Sequence, residues 1–246
     1  MMRTNMLAVI LLVLATMAPA EPPECLSVTR TLTLDQAGGP KRLLLNHPKG
    51  EVRISAGDSH RLVVQARLRN PAPGDNEAAI GLEIRPQNGK IRLNTRSSER
   101  VIDLDIRMPG SWALRLDHGD RGDVFVHGIR GEAEIQSRWG DVHLEAMAGP
   151  VLGHTVEGNL DAAFTAVPAD AAMVLISVSG RVTVSIPGSA SARVRMRGRG
   201  GNVQSDFPLR ETASGWREAQ LGTDGPLIRL ESLESLVSLR RSIPGR

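Results

Sequence analysis

The sequence predicts an all-β fold, an elongated β-solenoid of short strands with roughly 18 to 22 residues per coil. Three observations carry this reading. Gly122, Gly131, Gly140, Gly149 and Gly158 recur at nine-residue intervals. Two and four positions after each stand apolar or small side chains: Val124 and Val126, Ala133 and Ile135, Val142 and Leu144, Val151 and Gly153, Leu160 and Ala162. The chain also has only six aromatic residues among 246, three Trp and three Phe, so aliphatic and small side chains must fill the core.

The repeating unit is G-D-V-x-V. Its glycine makes a tight turn, and the next position, occupied by Asp123, Glu132, Asp141, Pro150 and Asn159, suits a turn or solvent. Alternation then points the apolar positions to one face and Phe125, Glu134 and His143 to the other. Two such nine-residue steps make one flattened coil, whose short strands pair with their equivalents in the next coil. A single step buries too little to stand alone, so stability must come from stacking, and the terminal coils need covering.

On the C-terminal side the pattern continues with longer spacings. Gly180, with Val182, Val184 and Ile186, follows Gly158 after more than two steps, and Gly201 with Val203 follows after a similar interval. Looped insertions at Ala162 to Ala172 and at Pro187-Gly188-Ser189 account for the difference. Ile228 and Leu230 recur as Val237 and Leu239 after the turn Asp224-Gly225-Pro226, which favours strands over an amphipathic helix from Leu227 to Arg241.

The N-terminal half uses the same alphabet less regularly. Val52 and Ile54, Leu62 and Val64, Leu82 and Ile84, Ile91 and Leu93, and Ile102 to Met108 alternate as strands do, and Asn70 to Asn76 is a run of turn residues. The expected division is 1–20 leader, 21–40 linker and lead-in, 41–115 irregular strands and N-terminal cap, 116–207 regular coils, and 208–246 closing strands and tail.

The leader is read from Arg3, the apolar run Met6 to Met17, and Ala18-Pro19-Ala20, which together make a signal peptide cleaved between Ala20 and Glu21. That apolar run is shorter than the roughly 20 residues that span a bilayer. The expectation is a periplasmic or cell-surface protein with no transmembrane anchor in the mature chain. Cys25 is the single cysteine, so no internal disulfide can form, and its thiol is free or pairs with another chain. The preceding Pro22-Pro23-Glu24 does not suit lipid acylation.

The charge balance is 30 basic to 27 acidic residues, a net of +3 that falls to +2 once Arg3 leaves with the leader. Of the basic residues only Lys41, Lys49 and Lys90 are lysine, and no basic run is long enough for a nucleic-acid patch.

Several constellations bear on chemistry. Arg121-Gly122-Asp123 spells an integrin-type tripeptide but coincides with the first turn of the repeat. Asp117 to Asp123 concentrates carboxylates, yet the later steps offer them singly, short of the six to eight oxygens calcium takes. His118, His127, His143 and His154 occupy different places within the step, which argues against one metal site. Trp112, Trp139 and Trp216 could stack on sugars if exposed, although packing is the simpler role. No nucleophile elbow, H-E-x-x-H or phosphate loop occurs, so no catalytic residue, metal or cofactor is assigned.

Ser177-Val178-Ser179-Gly180-Arg181-Val182-Thr183-Val184-Ser185-Ile186-Pro187, followed by Gly201-Asn202-Val203-Gln204-Ser205-Asp206-Phe207-Pro208, resembles the bacterial putative-adhesin repeats, exported or envelope-associated β-strand domains of largely unknown function. Asp103 to Pro109 resembles that family's strand before the repeats, and the likeness spans residues 45 to 240. It implies an envelope location, in some members a link to envelope stress, and no catalytic residues. The expected protein is a non-catalytic envelope or secreted solenoid with an adhesin-like binding or scaffold role toward a glycan or protein ligand. The rival is a polysaccharide-active or sugar-binding β-helix, which needs a groove with convergent carboxylates or an Arg base plus aromatics.

Overall fold

The computed structural model describes residues 26–34, 41–96 and 99–242. The leader, its Ala20/Glu21 junction and Cys25 lie outside the described residues. The fold is all-β. The N-terminal half supplies β1 (Leu26–Thr33), β2 (Arg42–Lys49), β3 (Val52–Gly57), β4 (Arg61–Leu68), β5 (Leu82–Gln87), β6 (Lys90–Thr95) and β7 (Ile102–Pro109). The repeats supply β8 (Ala113–Asp120), β9 (Val124–His127), β10 (Ala133–Trp139), β11 (Val142–Met147), β12 (Val151–Glu157), β13 (Leu160–Phe164), β14 (Met173–Ser177) and β15 (Val182–Pro187). There follow β16 (Ala192–Arg197), β17 (Val203–Ser205), β18 (Arg210–Glu211), β19 (Arg217–Leu221), β20 (Leu227–Ser232) and β21 (Val237–Ser242). The helical pieces are α1 (Glu77–Ile80), capped by the Asn76 side chain on the Ala78 amide, and a short turn at Arg199–Gly201.

Two mixed sheets form, one of ten strands and one of eleven, and from β7 to β17 the chain alternates between them. The register reproduces the sequence period. Val124 pairs with Val142 and Val142 with Leu160 in the ten-stranded sheet, and Ala133 pairs with Val151 in the other, all parallel and all two nine-residue steps apart. The interval then lengthens, since Leu160 pairs with Val182 and Leu152 with Val174. The extra length lies in 165–172. Ala162 to Phe164, expected to loop out with the rest of the alanine-rich stretch, is instead the end of β13. Its alternation buries Leu160, Ala162 and Phe164, and that apolar face decides the conformation.

Both ends of the stack are assembled out of sequence order. β2 and β3 lie between β6 and β8 and between β7 and β9, so the first pair of strands occupies a slot whose two walls come later in the chain. At the other end β20 lies between β14 and β16, and β21 between β15 and β17. The last pair thus fills a gap that β16 and β17 leave open. Beyond these slots the parallel pattern stops. β5, β4 and β1 cover one end through antiparallel pairs, and β19 and β18 cover the eleven-stranded sheet at the other. The exposed margin of the ten-stranded sheet there is β17, only three residues long, which limits edge pairing with another chain.

The core lies between the sheets as lengthwise columns of aliphatic side chains. Leu43, Leu114, Ala133, Val151, Met173 and Ile228 form one column, all buried, and Leu45, Leu116, Ile135, Leu175 and Leu230 run beside it.

Candidate functional site

The corners between the sheets explain the glycine period. A Cβ on Gly140 would run into the Gly122 carbonyl oxygen, and one on Gly158 into that of Gly140, because successive corners stack backbone on backbone. Gly50, Gly122 and Gly180 belong to the same column. Gly131 and Gly149 stack at the opposite corner, on Trp112 and Gly131 respectively. Gly201 is outside both columns, in the turn after β16, with φ +80° and open space around its Cα.

The position after each corner glycine forms a ladder. Asp123 Oδ1 accepts the Asp141 amide at 2.9 Å, Asp141 Oδ1 accepts the Asn159 amide at 2.8 Å, and Asn159 Oδ1 accepts the Arg181 amide at 3.0 Å. Asp103 does the same for Glu51 at 2.9 Å. These carboxylates therefore serve neighbouring corners one at a time, and among the described residues no three His, Cys, Asp or Glu side chains gather as a metal site. The Arg121-Gly122-Asp123 tripeptide is part of the same corner. Its Arg121 carbonyl accepts the Gly50 amide, and its aspartate is held by Asp141, so it does not protrude as a loop.

Inside, a polar column runs along the ends of the inward-facing strands. Thr95, His47, His118, Ser137, Thr155, Ser177 and Ser232 occupy equivalent places on successive strands and are all buried. Three of its members reach carbonyls of the glycine corner. His118 Nε2 donates to Gly50 at 2.9 Å, Ser177 to Gly158 at 2.9 Å and Ser232 to Gly180 at 2.7 Å. Burial, with the neighbouring His118 ring, pushes His47 down to about 4. His118 is also lowered, again chiefly by burial.

The other histidines are dispersed. His143, on the outer face of the ten-stranded sheet, stacks on Phe125 with ring centroids 5.0 Å apart and lies 3.7 Å from Asp161. Arg53 covers the other face of Phe125 at 4.6 Å. His127 ends β9, and His154 is on the outer face of the opposite sheet. Of the tryptophans, Trp112 is buried, Trp139 is exposed at the end of β10, and Trp216 lies beneath Arg195, Arg197 and Arg229 at 5.2 to 5.6 Å.

The candidate binding site is a shallow groove of about 340 Å³ on the outer face of β6, β2 and β8. Arg42, Lys90, Arg92 and Arg115 line it with Leu44, Asn46, Asn94 and Asp117. Arg42 pairs with Glu132 at 2.8 Å, and Arg115 lies 3.5 and 3.7 Å from Glu134 and Asp117. Lys90 and Arg92 meet no carboxylate among the described residues, which leaves two adjacent uncompensated cations on one wall. With asparagine amides and one aliphatic side chain between them, the arrangement suits a carboxylate, sulfate or phosphate on a ligand with further hydroxyls.

Of the lining residues the sequence pointed only to Asp117, as part of a carboxylate cluster, and to Lys90, as one of three lysines; neither marked a groove, and His47 went unmarked. The available signal was alternation in Lys90-Ile91-Arg92-Leu93-Asn94, where each outward position is cationic or amide. Which neighbouring strand adds Arg42 and Arg115 was hidden, because β2 reaches β6 and β8 only through the out-of-order slot.

Geometry thus defines the class as an all-β protein of two mixed sheets, with polar corner ladders and a basic outer groove. No protein-family profile matches the sequence, and no curated protein matches it. Solved structures similar to it include a putative cell adhesion protein from Clostridium sporogenes, at 11% identity and TM-score 0.47, covering 88% of this chain and 100% of that one. A putative adhesin from Bacteroides fragilis shares 14% identity at TM-score 0.36, with 88% and 97% covered. A putative lipid binding protein from Parabacteroides distasonis shares 9% identity at TM-score 0.26, with 87% and 96% covered. Among the described residues no helix is long and apolar enough to cross a membrane.

Proposed function

We propose that this chain is an exported, non-catalytic β-solenoid whose outer sheet face binds an anionic glycan of the bacterial envelope, in an adhesin-like or scaffold role. The leader is removed after Ala20 and the mature protein works in the periplasm or at the surface. The solenoid reading is supported by parallel pairs that recur at every second nine-residue step, and by corners stacked glycine on glycine. The repeats of 116–207, with the inserted strands β2, β3, β20 and β21, form its body, and the antiparallel strands β1, β4, β5, β18 and β19 close it.

The observation that carries the binding role is the pair Lys90 and Arg92, which meet no carboxylate among the described residues, in a groove that also offers Asn46 and Asn94. Guanidinium and ammonium groups on a rigid strand recognise acidic sugar substituents, and the amides recognise hydroxyls. Among the described residues Asp117 is the one carboxylate lining the groove, where a polysaccharide-processing site would gather several.

The test is titration of the mature protein with uronate-containing and neutral oligosaccharides. Acidic oligosaccharides should bind, neutral ones should not, and Lys90→Gln with Arg92→Gln should weaken binding about tenfold or more. Equal binding of neutral sugars, or binding indifferent to both substitutions, would remove the groove from consideration. Reproducible release of reducing or unsaturated ends from the glycan would favour the enzyme.

A further inference from the structure

The outer face of the eleven-stranded sheet changes character between β12 and β16. β12 presents Leu152, His154 and Val156, and β14 presents Val174 and Ile176, with Leu152 beside Val174 and His154 beside Ile176. Just past β20, Leu233 donates its amide to Ser177 and leaves its side chain 54% exposed. Leu152, Val156 and Leu233 are three of the five large hydrophobic residues exposed among the described residues. A single exposed leucine needs no explanation, but aliphatic side chains grouped on adjoining strands mark a contact surface.

Arginines border this group directly. The register sets Val174 beside Arg229, and Arg229 beside Arg195. Along β16 every outward position is arginine: Arg193, Arg195 and Arg197. Arg229 pairs with Glu231 and Arg195 lies 3.4 Å from Glu218, whereas the Arg193 and Arg197 guanidiniums meet no carboxylate among the described residues. In their midst Trp216 is half-buried, with three guanidiniums over its ring.

We propose that this face docks on the surface of an anionic lipid bilayer. The aliphatic group would lie at the headgroup boundary, the arginines would reach lipid phosphates, and the indole would mark the border between them. A lipid surface is favoured over a polysaccharide because a hydrated sugar chain gives aliphatic side chains no apolar environment. It is favoured over a second copy of this chain because like faces would oppose their arginines. The inference does not depend on the glycan reading, since β10 separates this face from the basic groove.

Co-sedimentation of the mature protein with vesicles tests it. Mixed phosphatidylglycerol–phosphatidylcholine vesicles should bind the protein, pure phosphatidylcholine should not, and salt should release it. Arg193→Gln and Arg197→Gln should each weaken binding about fivefold. Leu152→Thr with Ile176→Thr, substitutions a strand accepts, should also weaken it while circular dichroism stays unchanged. Lys90→Gln with Arg92→Gln should leave it intact, which separates this face from the groove. A blue shift of tryptophan emission on binding should vanish in Trp216→Phe. Equal binding to pure phosphatidylcholine overturns the proposal, as does indifference to the arginine and aliphatic substitutions. So does a face that holds only soluble acidic polysaccharide, or only a second copy, with no vesicle binding.

Discussion

His47 and His118, distant in the chain, lie side by side inside the molecule with ring centroids 5.8 Å apart. The slot that seats β2 against β8 creates this contact. His118 Nε2 donates to the Gly50 carbonyl, so its Nδ1, 3.2 Å from the Ser137 hydroxyl, is the acceptor. His47 Nδ1 lies 2.8 Å from the Thr95 hydroxyl. Neutral rings suit the His118 bonds and the His47 Nδ1 contact, His47 Nε2 meets no partner among the described residues, and a proton on either ring would place a charge in the core beside the other.

Acid should therefore loosen the fold. Folded His47 stays neutral down to about 4, while the unfolded chain takes up its proton near 6.5. The unfolded state binds more protons over that window, so the stability is present in full above about 6.5 and is lost as pH falls toward 4. The loss from His47 is about 3 kcal/mol by the linkage between pKa and stability. Asp103 near His47, and Asp120 and Asp123 near His118, act the other way but less strongly than burial. Urea midpoints between pH 7 and pH 4.5 should fall in the wild type and fall less in His47→Leu. An identical slope in the two proteins would refute the assignment.

The carboxylate ladder makes a sharper structural claim. Asp141→Ala removes the acceptor of the Asn159 amide and should cost about 1–2 kcal/mol. Asp141→Asn should restore most of that, because Asn159 already performs the same task for Arg181 at the next corner. Added calcium should not raise the melting temperature of either protein. A large calcium-dependent rise, absent from Asp141→Asn, would show the ladder to be a cation site instead.

The filled slot at the C-terminal end should behave as part of the body rather than as a detachable tail. Leu230 is fully buried and pairs with Leu175, far back in the chain. Leu230→Ala should cost about 2–5 kcal/mol, as a core truncation does. Because that pairing closes a long stretch of chain, it should form late, so the variant should unfold faster and fold at nearly the wild-type rate. A cost under about 1 kcal/mol, against the range expected for a buried leucine, would mean that β20 only leans on the stack.

Legibility in the sequence followed the range of the interactions. Gly122 to Gly158 could be read because each corner contacts the one two steps further along, and a fixed local period survives in the linear order. Alternation in Val182-Thr183-Val184-Ser185-Ile186 and in Ile228-Arg229-Leu230 announced strands, since a buried face imposes a two-residue rhythm whatever the partner. The alanines at 162 and 163 read as loop because small side chains give that rhythm little contrast.

Strand content, the nine-residue corner and the inward and outward faces are thus written in the linear order, as consequences of contacts repeated at short, regular separations. Long-range folding alone sets β2 with β3, and β20 with β21, into slots out of order. That choice brings His47 to His118, Lys90 and Arg92 to Arg42 and Arg115, and Arg229 to Arg195. These residues meet through lateral hydrogen bonding between strands, directly or, for Arg115, across β2, and such out-of-order pairing leaves no spacing in the chain from which a partner could be read.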